Sequence, residues 1–134
     1  MKSDKFIDIT FPISKKLPVW PGSVGFKLEW HMRMPNETNN LSSFTIDTHL
    51  GTHIDAPLHF IDNGKSVEQI DFAKLIGEVY VLELYNVRSI KSSDLQIAGI
   101  PKGCKKLILK TDNQLYWRKN ITEFQKDFAS IDKS

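Results

Sequence analysis

Cysteine is nearly absent: Cys104 is the single one in 134 residues, so no disulfide can form within the chain and a reducing cytoplasm is the expected compartment. Charge of one sign is also missing. Lysine and arginine number 18 against 16 acidic residues, a formal net charge of +2, which argues against nucleic acid or an anionic membrane surface as the main partner. No apolar run approaches the roughly 20 residues of a membrane span, and the charged start Met1-Lys2-Ser3-Asp4-Lys5 is followed by no signal-peptide core. No repeat, low-complexity tract or linker divides the sequence. Its length suits one domain, expected over 1–134, and its 40% hydrophobic and 25% charged residues are ordinary for a globular chain. After residue 59 there is no histidine at all.

The histidines that are present are concentrated. His49-Leu50-Gly51-Thr52-His53-Ile54-Asp55-Ala56-Pro57-Leu58-His59 holds three of the four, with a carboxylate among them. Neutral imidazole is the commonest protein metal ligand, and a carboxylate beside it suits Zn²⁺, Mn²⁺ or a similar ion. A straight strand would set His49 and His53 about 13 Å apart at roughly 3.3 Å per residue, too far for one metal with bonds of about 2.1 Å. A regular helix would bring those two together but turn Asp55 away, and Pro57 disfavours it. The solution that serves all the ligands is a bent extended segment. Gly51 supplies the backbone freedom, and the Thr52 hydroxyl is available to tie the turn. Taken singly, each of these residues is as well explained by structure: a hydrogen-bonded histidine, a capping aspartate.

Around this run the sequence reads as strands and short helices. Phe6-Ile7-Asp8-Ile9-Thr10 alternates, and Val24, Phe26, Leu28, Trp30 and Met32 alternate strictly, predicting a half-buried strand with His31 on its other face. Residues 34–40 are a loop by composition, and Ser43–Asp47 returns to strand and delivers the chain into the histidine run. Residues 61–65 form a turn, Ser66 is an N-cap, and Val67, Ile70, Phe72, Ala73 and Leu75 give a rough helical face. Glu78–Val87 predicts a strand buried on both sides. Ser92 or Ser93 caps a short helix toward Ala98, ended by Gly99 and Pro101. Cys104 lies in a turn leading into a strand at Lys106–Thr111, and Thr122-Glu123-Phe124-Gln125 has the spacing of a capping box for a helix through Ala129. This mixture without clean βαβ repetition predicts an α+β fold around a mixed sheet.

The run 49–59 also resembles the signature of the cyclase-like metal-dependent hydrolases, the kynurenine formamidase and isatin hydrolase type. The pattern His-x-Gly-Thr-His-x-Asp-x-Pro-x-His is matched at all seven fixed positions. Ile7-Asp8-Ile9-Thr10, Trp20-Pro21-Gly22, the strand near residue 80 and Leu107-Ile108-Leu109-Lys110-Thr111 follow as weaker landmarks in the same order. The resemblance implies a barrel-like mixed sheet with flanking helices, a homo-oligomer, and a divalent metal, Zn or Mn, activating water against a small amide. His49, His53 and Asp55 would bind the metal. His59 would be a ligand to a second metal or the general base, and Trp20 would line a pocket for an aromatic substrate or pack in the core. An aryl formamide is the implied substrate, with a cyclic amide or lactone as competitor. Two departures stand out. Ser23 occupies a place where the family usually has an acidic residue, and the chain stops at Ser134, short of a portion that in relatives supplies a further histidine and a glutamate to the site. The expectation is therefore a C-terminally shortened member. It would be either a hydrolase, a metal-binding remnant without turnover, or a fragment active only with a partner chain.

Overall fold

The strict alternation from Val24 to Met32 does produce a strand, and its partner is the one just upstream of the histidine run. The structure, a computed structural model, describes residues 7–133 and divides into two units, Met1–Asp55 and Ala56–Ser134. In the first, β1 (Phe26–Met32) pairs antiparallel with β2 (Leu41–Ile46), running from Phe26 opposite Ile46 to Trp30 opposite Ser42, with a register shift before Met32. Period-two geometry puts Phe26, Leu28 and Trp30 on one face, where the Phe26 and Phe44 rings lie 6.2 Å apart. His31 is on the other face, as expected, with its Nε2 2.7 Å from Ser43 Oγ. The apolar face is more open than a half-buried strand implies, since Trp30 is 47% and Phe44 66% exposed. A two-stranded ribbon has one layer and nothing within it to cover that face.

Residues 7–10 form no strand, contrary to their alternation, and Phe6 lies outside the described residues. The Asp8 carboxylate accepts the Thr10 backbone N–H at 2.9 Å, a local turn that competes with a sheet ladder.

In the second unit, parallel pairing replaces the hairpin. β3 (Tyr80–Leu84) runs parallel to β5 (Leu107–Thr111), with Val81 opposite Ile108 and Glu83 opposite Lys110. β4 (Ser89–Ile90) runs parallel to β6 (Ser130–Ile131). Such parallel connections need a crossover, and α1 (Ser92–Ile97) and α2 (Gln114–Arg118) lie within them. The predicted helix at 92–98 is present. Its cap is one residue early: the Lys91 backbone N–H donates to Asp94 Oδ2 at 2.8 Å, and Gly99, at φ +67, ends it.

Three expectations fail here. The helical face from Val67 to Leu75 is two single 3-10 turns, Val67–Gln69 and Phe72–Lys74, with Val67 and Phe72 exposed. Ser66 does begin the first of them, its backbone N–H donating to Gln69 Oε1 at 3.1 Å. The strand expected over Glu78–Val87 is shorter and is buried on one side only, through Leu82. The helix expected from Thr122 to Ala129 is absent, and α2 forms instead. The Asn113 side chain claims the Ala129 backbone from both sides: its Nδ2 donates to the Ala129 carbonyl at 2.9 Å and its Oδ1 accepts the Ala129 N–H at 2.7 Å. With both groups of Ala129 held in this way, the chain runs on into β6 from Ser130 rather than closing a helix.

The architecture is therefore α+β with both antiparallel and parallel pairs. Among the described residues it consists of three two-stranded sheets and does not close into the barrel-like sheet that was expected. Among the described residues well-buried apolar side chains are few: Leu50 in the first unit, and Leu82, Ile90 and Ala129 in the second.

Candidate metal centre

β2 ends at Ile46, and the chain turns at once into the histidine run. Asp47 makes that turn. Its Oδ1 accepts the His49 backbone N–H at 3.3 Å, and this bond is the main reason its carboxyl titrates below the ordinary aspartate value; burial opposes it, and the Ser23 side chain and the Val24 N–H add lesser lowering. Leu50, 5% exposed, anchors the next step of the loop in the core. Gly51 follows at φ +70, in the left-handed region that non-glycine residues avoid. Thr52 does not close the turn by itself. Its Oγ1 accepts the Phe11 backbone N–H at 3.1 Å, which ties the N-terminal segment to the loop.

The bend brings the expected ligands together. His49 Nδ1 lies 2.9 Å from Asp55 Oδ1 and 3.3 Å from His53 Nε2, and His53 Nε2 lies 3.5 Å from the same carboxylate oxygen. Instead of the straight-strand separation, three donor atoms form a triangle. An ion bound tetrahedrally with bonds of about 2.1 Å holds its donors about 3.4 Å apart, and an octahedral one about 3.0 Å apart. The observed edges span that range, so the donor set fits a divalent cation.

One backbone contact orients the His53 ring. His53 Nδ1 is 2.9 Å from the Gly51 carbonyl oxygen. A carbonyl only accepts, so Nδ1 carries the hydrogen, which leaves Nε2, the nitrogen facing His49 and Asp55, as the one that can ligate. This is the outer contact that metal-ligating histidines commonly make, and it fixes the tautomer a ligand needs. Gly51 thus contributes twice, through the bend and through its carbonyl. The side chains of His49, His53 and Asp55 are 37%, 31% and 47% exposed, so the triangle is open to water and to small ligands.

His59 belongs to the second unit. It closes the 3-10 turn Pro57–His59, its backbone N–H donating to the Ala56 carbonyl at 2.9 Å, with its ring 4.0 Å from that of Phe60. Pro57 stands at the first position of this turn, where its missing N–H is harmless. Trp20 lies in the first unit at the head of the turn closed by Ser23 N–H on the Trp20 carbonyl at 2.9 Å, and is 61% exposed rather than packed in a core. Cys104 occupies the expected turn before β5, where its thiol donates to the Lys106 carbonyl at 3.2 Å.

Asp47 is the contributor that the sequence reading did not single out; Ser23, noted there only as a departure from the family pattern, supports it. The available signal was an aspartate at the end of a strand, two residues before a ligand, the usual position for a side chain that closes a turn on the backbone.

Residues 7–131 match the model of a family described as "Putative cyclase". The chain is 34% identical over 116 residues to a kynurenine formamidase of Bacillus cereus and 33% identical over 115 to one of Bacillus anthracis, covering 84% of this chain in each case. It spans about half the length of these curated relatives, 54%. Among solved structures, a predicted metal-dependent hydrolase from Bacillus stearothermophilus superposes with a TM-score of 0.69 at 27% identity, over 94% of this chain and 58% of the other. A potential metal-dependent hydrolase with cyclase activity gives 0.70 at 26% identity, over 94% and 57%.

Proposed function

Because the chain belongs to the cyclase family, we propose that it contributes a metal site for hydrolysis of an amide, with an aryl formamide as the substrate class. The observation that carries this reading is the donor triangle of His49 Nδ1, His53 Nε2 and Asp55 Oδ1, with edges of 2.9 to 3.5 Å. A divalent ion there, Zn or Mn, supplies a lowered pKa for water and polarisation of a carbonyl.

The chain's own groups do the rest. Gly51 holds His53 in the ligating tautomer, and Asp47 holds the backbone at His49. Asp55 brings the one negative charge of the three donors, offsetting part of the charge of a dication. His59, four residues beyond Asp55, is the proposed base. It takes a proton from the attacking water and returns it to the departing nitrogen, so that a formamide and water yield formate and an amine. Trp20 offers an exposed aromatic face of the kind an aryl substrate stacks on. The similarity to kynurenine formamidases supports a formamide over a cyclic amide. The lone thiol suits the cytoplasm, and a homo-oligomeric assembly belongs to the same proposal.

A second reading has its own support. The three ligand side chains are between 31% and 47% exposed, and the chain spans about half of its relatives. Both favour a chain that binds metal without turnover until a partner polypeptide completes the site. His53→Ala separates these readings from a structural role for the triangle. Metal content by elemental analysis and release of formate from an aryl formamide are measured together. The hydrolase reading expects both to fall at least tenfold, and the metal-binding reading expects metal to fall with no hydrolysis before or after. Unchanged metal content would refute both.

A further inference from the structure

The parallel pair β3–β5 has one bare face. Side chains alternate along β3, so Leu82 turns to the buried side while Val79 and Val81 turn to the other. Val81 stands beside its register partner Ile108. These three side chains are 43%, 48% and 48% exposed. Two residues further on the same face turns polar, where register partners Glu83 and Lys110 form an ion pair. Parallel sheets occur almost only with both faces covered, and two strands seldom hold as an independent sheet. Among the described residues β3 and β5 pair only with each other. The same segment reads from its sequence as a strand buried on both sides, so composition and geometry disagree only about what covers the outer face.

The solved relatives indicate the occupant. They match 94% of this chain, yet 57–58% of their own length, so a large share of the family fold has no counterpart in these residues. We propose that the Val79–Val81–Ile108 face is the docking surface for the share of the cyclase fold that this chain does not span, a polypeptide bringing an apolar layer against β3 and β5. The proposal rests on family membership and not on the metal reading, and its test involves neither metal nor hydrolysis.

The probe is the part of the Bacillus cereus relative that this sequence does not match, produced together with the chain. Complex mass is read by light scattering, and amide exchange is followed over 79–84 and 107–111. The expected result is a one-to-one complex in which exchange in both strands slows at least tenfold. Val81→Lys with Ile108→Lys should abolish the complex. Val79→Lys, just outside β3, should weaken it at least tenfold and serves if the double variant does not fold. The proposal is overturned if no complex forms, if Val79→Lys binds as tightly as the parent, or if the chain alone is a dimer with this face already protected between two copies.

Discussion

Replacing Gly51 with alanine puts the bend of the metal loop to a quantitative test. At φ +70 the backbone is left-handed, and an L side chain there costs roughly 1–2 kcal/mol. Steric crowding adds little, because a Cβ at this position would meet only Leu17 Cδ1 at 3.5 Å, an ordinary contact. The cost is therefore in the backbone. The exposed loop relieves it by straightening, which separates His49 from His53. A binding-competent loop that is less populated weakens apparent affinity in proportion, so 1–2 kcal/mol translates into about a 5- to 30-fold loss. Asparagine tolerates left-handed backbone better than other non-glycine residues, so Gly51→Asn should fall between the parent and alanine. The assay is competition for Zn²⁺ or Mn²⁺ against a chromophoric chelator, with urea denaturation alongside. Alanine binding within twofold of the parent would refute the role given to the bend. A loss beyond 100-fold with global unfolding would show that strain spreads through the unit instead.

Asn113→Ala removes both hydrogen bonds to the Ala129 backbone. Leaving part-buried groups unsatisfied should cost about 1–3 kcal/mol in urea denaturation, and a change under about 0.5 kcal/mol would contradict the clamp. The Glu83–Lys110 pair links stability to pH. The Lys110 ammonium lowers the Glu83 carboxyl, whose contribution is present above the ordinary glutamate value and lost as pH falls through the lowered one. Glu83 in turn raises Lys110, whose contribution is present below the ordinary lysine value and lost as pH rises through the raised one. The pair thus supports the β3–β5 ladder between about pH 5 and 10. Glu83→Gln should flatten the acid limb of a stability-against-pH curve, and an unchanged limb would contradict the pairing.

Local pattern explains much of what could be read without coordinates. Alternation located β1, turn chemistry placed the loop at 34–40, and the i, i+4 histidines with Gly51 and Asp55 required a bent segment that the structure supplies. The failures came where a local signal met a nonlocal competitor. Thr122 and Gln125 have capping-box spacing, but a helix through Ala129 would have only about two turns, which is marginal in isolation, and the Asn113 side chain sixteen residues away takes the Ala129 backbone. Ile7 and Ile9 alternate without a neighbouring strand to pair with. Val79 and Val81 read as buried because their composition suits a covered sheet, and nothing in a single sequence says which polypeptide does the covering. Asp47 escaped attention because positioning a backbone N–H leaves a weaker mark on sequence than ligation does.

The account stands most directly on metal stoichiometry, measured by elemental analysis on chain purified without chelator or affinity metal, with His53→Ala in parallel. It predicts close to one equivalent of a divalent ion in the parent and a loss of at least tenfold in the variant. Parent protein that arrives metal-free and refuses added Zn²⁺ and Mn²⁺ would contradict it, whatever the arrangement of His49, His53 and Asp55.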